Sequence, residues 1–220
     1  VRALLNVALP VQVADHLMEH PEAYDEAVRM PATVIFCDLI GFTRTVEGLR
    51  GDLDALKEHL EGAMDAIVRV HQDQDLIVDK FIGDAVMSFR GGQLVPGTPR
   101  EHAVRAVRAA VATPRALAEL ADPYFFQVKV GGASMADALI GTFGTSLRLS
   151  YTILGDRVNV ASRMEAACGK LGTTNLFCKE TWELTQDEPG LWWRRVGALA
   201  VAGKSEAIEA FEAFDEDHSW

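Results

Sequence analysis

Three things are scarce in this chain, and each shortage removes a class of protein. Cysteine occurs three times in 220 residues, at Cys37, Cys168 and Cys178, an odd number with no paired metal-ligand spacing. That excludes a disulfide framework, and the thiols read as free, mostly buried packing residues of a reducing, cytoplasmic compartment. Positive charge is also short: 21 Lys and Arg face 32 Asp and Glu, for a formal net charge of −11. Such a surface repels nucleic acid and anionic lipid at long range, so neither is an expected partner. A nucleotide is not excluded, because a few local cations and a metal ion reverse the sign inside a cleft. Long apolar runs are missing as well, so neither a membrane span nor a signal peptide is read. The chain begins at Val1 rather than methionine. The expectation is a piece of a longer parent, compatible with an upstream regulatory or membrane domain.

What remains is ordinary globular composition, 49% hydrophobic and 24% charged, and enough chain for one sizeable domain. Residues 1–30 read as a helical lead-in, with Leu4, Leu5, Leu9, Val13 and Leu17 forming an apolar stripe interrupted by Pro10. His16 and His20 are four apart there. Without a Glu beside the first or a third ligand, they read as a solvated helix face rather than a metal pair. Residues 31–220 read as the domain proper.

Ala32–Asp38 is a β-branched apolar run ending in an acid, the pattern of a buried strand. Asp52–Val70 carries Leu53, Leu56, Leu60, Met64, Ile67 and Val70 at helical spacing. Leu76–Lys80 and Ala85–Phe89 flank Phe81-Ile82-Gly83-Asp84 and predict a tight hairpin. A Gly/Pro loop over 91–99 leads to a long helix from Arg100 to about Leu120, with a kink expected at Pro114. Phe125–Ala133 and Ala136–Phe143 read as two strands, and Asp156–Cys168 as a helix. Short strands near Asn175–Cys178, Leu191–Val196 and Ile208–Phe214 close the chain. Strand, helix, hairpin, helix, strand is the split βαβ order of a ferredoxin-like α+β sheet with flanking helices. That architecture alone assigns no function.

Three segments carry chemistry. In Phe36–Thr43 (FCDLIGFT), Asp38 ends a buried strand and the following turn offers free backbone N–H groups near Phe42 and Thr43, suited to phosphate. In Asp79–Met87 (DKFIGDAVM), Asp84 sits just past the turn of the hairpin, poised to meet a carboxylate from a neighbouring strand end. Two converging carboxylates suit hard cations such as magnesium, which keep positions open for substrate phosphates. Lys80 lies among apolar neighbours, where an unpaired ammonium is costly. In Ser150–Ala167 (SYTILGDRVNVASRMEAA), Asn159 and Arg163 are four apart and project from one helix face. Arg offers a planar fork for phosphoryl oxygens, and Asn can both donate to and accept from a ribose. Each segment also has a plainer reading: a strand terminator, a Gly-Asp turn, an amphipathic helix with Val160, Met164 and Ala167 inward.

Taken together, in this order and spacing, the segments resemble the class III adenylate and guanylate cyclase catalytic domain, over roughly residues 31–215. The resemblance implies that Asp38 and Asp84 hold two magnesium ions per site, with manganese as an alternative. It implies that Asn159 orients the ribose, that Arg163 stabilises the α-phosphoryl charge in the transition state, and that Lys204 binds triphosphate. It implies too that Lys80 and Thr152 read the base. Lys80 only donates, which fits adenine N1 and leaves guanine N1–H facing another donor. Most adenylate cyclases of the family carry Asp where this chain has Thr152. A hydroxyl serves adenine but rejects a 6-oxo base less firmly, and Thr here is similar to the subgroup stimulated by bicarbonate or carbon dioxide.

The implied activity is conversion of ATP to cyclic AMP and pyrophosphate by a homodimer. Asp38 and Asp84 of one subunit would meet Lys80, Thr152, Asn159 and Arg163 of the other. The nearest rival is a guanylate or dual-specificity cyclase. A diguanylate cyclase would need a Gly-Gly-acid-acid hairpin, which Ile82-Gly83-Asp84-Ala85 does not provide. A non-catalytic regulatory module is the rival from another class, and members of that kind usually lack one of the four residues kept here.

Overall fold

The structure, a computed structural model, describes residues 10–19, 27–42, 46–47, 52–120, 127–145, 148–200 and 207–216. Its helices are α1 (Val11–Glu19), α2 (Leu53–Asp73), α3 (Pro99–Ala118), α4 (Asp156–Leu171) and α5 (Lys179–Thr185). Its strands are β1 (Val28–Ile40), β2 (Ile77–Ile82), β3 (Ala85–Gly91), β4 (Gln127–Thr145), β5 (Arg148–Leu154), β6 (Asn175–Cys178), β7 (Leu191–Leu199) and β8 (Ile208–Asp215). They form one sheet in the order β2-β3-β1-β4-β6-β8-β7, with β5 paired to β4. The β2-β3-β1-β4 portion, antiparallel throughout, is the ferredoxin-like core expected from the sequence.

Because β1 is paired on both sides and covered on both faces, its run from Ala32 to Cys37 is buried without alternation. On one face Ile35 and Cys37 pack against α2 and α3 through Ile67, Ala106, Val107 and Ala110. On the other, Val34 and Phe36 join Phe89, Ile140, Ile153 and the Val160–Met164 side of α4. Local signals set the helix starts. Asp52 caps α2 by accepting from the Ala55 N–H, and Thr98 and Glu101 form a capping box at α3, with Pro99 in its first turn.

The structure differs from the sequence expectations in several places. Residues expected to form two strands around Ser134–Met135 form the single long strand β4, which pairs with β1 from Gln127 to Ile140, with β6 over Val130–Gly132 and with β5 from Leu139 to Thr145. Strand β5 and the short helix α5 were not expected. β1 begins at Val28, ahead of Pro31. All three cysteines are free and buried. Among the described residues, no helix is long and apolar enough to cross a membrane. His20 lies outside the described residues, so the His16/His20 pair is not seen.

Candidate active site

Asp38 stands near the end of β1, in register with Ala85 of β3 on one side and with Lys129 of β4 on the other. Ile82 pairs with Ala85, so Gly83 and Asp84 are the two-residue turn itself, and Asp84 lies in the turn rather than past it. Gly83 holds φ +65, a conformation such tight hairpin turns demand and side chains resist. The two strand ends thus bring both acids to one open cleft of about 530 Å³, lined by Asp38, Leu39, Ile40, Gly41, Phe42, Glu47 and Asp84. Burial raises the Asp84 pKa, and the nearby Asp38 charge adds to the rise. Phe42 rests partly buried against the core cluster that holds Ile35 and Cys37. Thr43 falls outside the described residues, as does Lys204.

The cleft's donors are carboxylates with no thiol or imidazole, a set that suits a hard divalent cation. Among the described residues no three His, Cys, Asp or Glu side chains gather into a ready-made cage. A cation held by Asp38 and Asp84 therefore keeps positions for water or phosphate oxygens.

Two neighbours of Asp38 were not singled out from the sequence. Lys129 Nζ lies 2.8 Å from Asp38 Oδ2 and 2.8 Å from Glu165 Oε1. Burial works against the Lys129 ammonium, but its hydrogen bonds to Asp38 and Glu165, and their charges, outweigh that and raise its pKa. Glu165 reaches this point because α4 lies directly on β4. A Cβ at Gly131 would stand 2.0 Å from the Glu165 nitrogen and 2.2 Å from the Ala161 oxygen, so only glycine admits the helix. The available signal was a lone lysine between Val128 and Val130 in an otherwise apolar and glycine run.

Lys80 and Thr152, distant in sequence, do meet: Lys80 Nζ lies 3.1 Å from Thr152 Oγ1. A third residue joins them. The buried Asp79 carboxylate accepts a hydrogen bond from the Thr152 hydroxyl and lies 3.2 Å from Lys80 Nζ. Burial raises the Asp79 pKa, and the Thr152 hydrogen bond and Lys80 charge offset part of the rise.

Asn159 and Arg163 both look outward from α4, Asn159 exposed and Arg163 half-buried, while Val160, Ala161, Met164 and Cys168 face the core. Arg163 lines a separate groove of about 410 Å³ with Ala166, Ala167, Lys170, Leu171 and the Ala198–Ala200 end of β7. This groove shares no lining residue with the acidic cleft. One chain therefore holds these residues in three places: the two acids, Lys80 and Thr152 with Asp79 joining them, and the Asn159/Arg163 helix face.

Residues 24–211 match the family described as the adenylate and guanylate cyclase catalytic domain. The chain is 33% identical over 199 residues to the terminal-differentiation specific adenylate cyclase of Dictyostelium discoideum, covering 86% of this chain and 9% of that protein. It is 32% identical over 212 residues to an adenylate cyclase of Mycobacterium tuberculosis, covering 92% of this chain and 44% of that one. The chain thus spans less than half of either relative. Among solved structures, the adenylyl cyclase CyaB from P. aeruginosa superposes with a TM-score of 0.76 at 28% identity, covering 88% of this chain and all of that one. With fold and sequence agreeing over nearly the whole length, the chain belongs to the adenylate and guanylate cyclase catalytic domain family.

Proposed function

We propose that this domain is an adenylate cyclase, converting ATP to 3′,5′-cyclic AMP and pyrophosphate at sites shared between two identical chains in the cytoplasm. The observation that carries the choice of ATP is the meeting of Lys80 and Thr152. A lysine that can only donate faces adenine N1, an acceptor, and repels the N1–H of guanine. The catalytic unit is the body of the chain from β1 onward, with the residues before Val28 as lead-in.

Asp38 and Asp84 are the residues that fit divalent magnesium, or manganese. Bound there, the metal supplies positive charge against the triphosphate and favours ionisation of the ribose 3′-hydroxyl. The chain's own residues do the rest. Asn159 holds the ribose so that its 3′-oxygen points at the α-phosphorus. Arg163 takes up the charge that grows on the α-phosphoryl oxygens as the new bond forms and pyrophosphate leaves. Phe42, Thr43 and Lys204 take the role of binding the triphosphate. The separation of the acidic cleft from the Arg163 groove supports a homodimer, since a second chain can supply the missing half of each site. Exposed apolar residues beside the Lys80/Thr152 pair agree, with Phe81 55%, Ile82 50% and Leu154 47% exposed.

Product analysis tests this. With magnesium or manganese, cyclic AMP should form from ATP in preference to cyclic GMP from GTP, and Asp84→Ala should abolish it. No cyclic product from either nucleotide at high protein concentration would leave a regulatory module as the better reading. Thr152 also supports a response to bicarbonate. Activity at fixed pH should rise on adding it, and a flat response across the physiological range removes that part.

A further inference from the structure

The pairing of β2 with β3 is regular except at one place. Val78 faces Ser88 and Lys80 faces Met87, so Asp79 is an extra residue with no partner on β3. Along a regular strand, Asp79 and Lys80 would point to opposite faces. The bulge re-aims them so that both reach Thr152 on β5. Asp79 is thereby almost completely enclosed, its side chain 1% exposed, whereas Lys80 stays 43% exposed.

The direction of the hydrogen bond follows from valence. A carboxylate has lone pairs and no hydrogen to give, so the hydrogen between Thr152 and Asp79 is the hydroxyl's. A hydroxyl has one hydrogen and two lone pairs. Once its hydrogen is committed to Asp79, Thr152 Oγ1 can only accept. Lys80 donates into one lone pair, and the other is left for a ligand donor.

Resting on the adenylate cyclase reading, we propose that Asp79 is a positioning residue for base selection. It fixes Thr152 as an acceptor, so the site takes a 6-amino purine and rejects a 6-oxo purine. The ambiguity of a threonine at this position is thus removed by its buried neighbour. A 6-oxo group would set oxygen against oxygen, leaving a buried acceptor unpaired, which costs roughly fivefold to 150-fold in affinity.

The test compares wild type with Asp79→Asn and Asp79→Ala in the full chain. For each, kcat/KM is measured for ATP and GTP, and binding of 3′-deoxy-ATP and 3′-deoxy-GTP, which cannot cyclise, is measured by calorimetry with manganese. The amide introduced by Asp79→Asn can donate to Thr152, turning the hydroxyl hydrogen toward the base. Asp79→Ala only releases that hydrogen. The ATP-to-GTP preference should therefore fall about fivefold or more in Asp79→Asn and less in Asp79→Ala. In a Thr152→Val background, Asp79→Asn should leave the preference unchanged. A purely structural role gives the reverse order, because alanine loses more packing than the isosteric asparagine, with both nucleotides affected equally. That pattern, or a wild type binding both analogues equally, overturns the assignment. Selective binding without any cyclic product would instead sink the cyclase reading and leave the selectivity intact.

Discussion

Lys129 holds Asp38: the ammonium of one lies 2.8 Å from the carboxylate of the other, across adjacent strands in register. The same ammonium neutralises Glu165, so a single cation separates two half-buried acids. Removing it in Lys129→Met leaves those acids facing each other. The expected loss is about 3 kcal/mol of stability, the low end for breaking a buried pair. A divalent cation at Asp38 would replace part of the missing charge. Manganese should accordingly raise the melting temperature of Lys129→Met by more than it raises that of wild type. Differential scanning calorimetry with and without manganese checks this, and equal shifts would show that Asp38 does not sense Lys129.

If each site draws its acids from one chain and its Asn/Arg face from the other, two dead variants can repair each other. Asp38→Ala and Arg163→Ala should each be inactive alone. Mixed and allowed to exchange subunits, half the dimers carry one intact site of two, so activity should return to about a quarter of wild type. Mass measurement of a tagged chain verifies exchange. A mixture that exchanges but stays inactive rules out shared sites.

Much of this was legible in the sequence, for reasons that differ by residue. Asp38 ends an apolar run and Asp84 follows the glycine of a Gly-Asp pair, so local pattern brings both to strand ends, although Asp84 stands in the turn and not just past it. Asn159 and Arg163 share a helix face by spacing, and they do face outward together. Asp79, Lys129 and Glu165 were harder. Asp79 matters only because of a bulge, and a bulge is a property of two strands in register. Lys129 and Glu165 meet because Gly131 lets α4 touch β4, a contact between segments that no local period encodes. The long β4 was read as two strands because Ser134, Met135 and Asp137 interrupt its apolar pattern. Ser134 is in fact buried, held by the hydroxyls of Thr33 and Thr181.

His71 predicts how the domain loses stability in acid. It is wholly buried under the sheet with Nδ1 2.9 Å from Ser88 Oγ, and burial lowers its pKa from 6.5 to about 3. A folded-state pKa below the unfolded one means the neutral ring favours the fold. Its contribution is complete above about pH 6.5 and is lost as pH falls toward 3. Within that window each pH unit should cost about 1.4 kcal/mol from this residue alone. Urea unfolding at a series of pH values should show that slope, and His71→Gln should flatten it. An unchanged slope in the variant would assign the acid sensitivity to other groups.

Two glycines near the same helix should respond oppositely to alanine. On β4, Gly131 faces the α4 backbone, and a methyl there meets main-chain atoms at 2.0 and 2.2 Å that no rotamer change can move. Gly131→Ala should therefore push α4 outward, carrying Asn159, Arg163 and Glu165 with it, and cost several kcal/mol, about 3 or more. Gly169 lies within α4 with open space around its missing Cβ. Gly169→Ala should stabilise by about 1 kcal/mol, through better helix propensity and a less flexible unfolded chain. Activity separates the two further. Displacing α4 moves Arg163 away from the phosphate it is proposed to meet, so Gly131→Ala should lose turnover even at temperatures where it remains folded. Gly169→Ala should keep wild-type turnover. Comparable stability in the two variants would mean that β4 and α4 are less tightly packed than their backbones indicate.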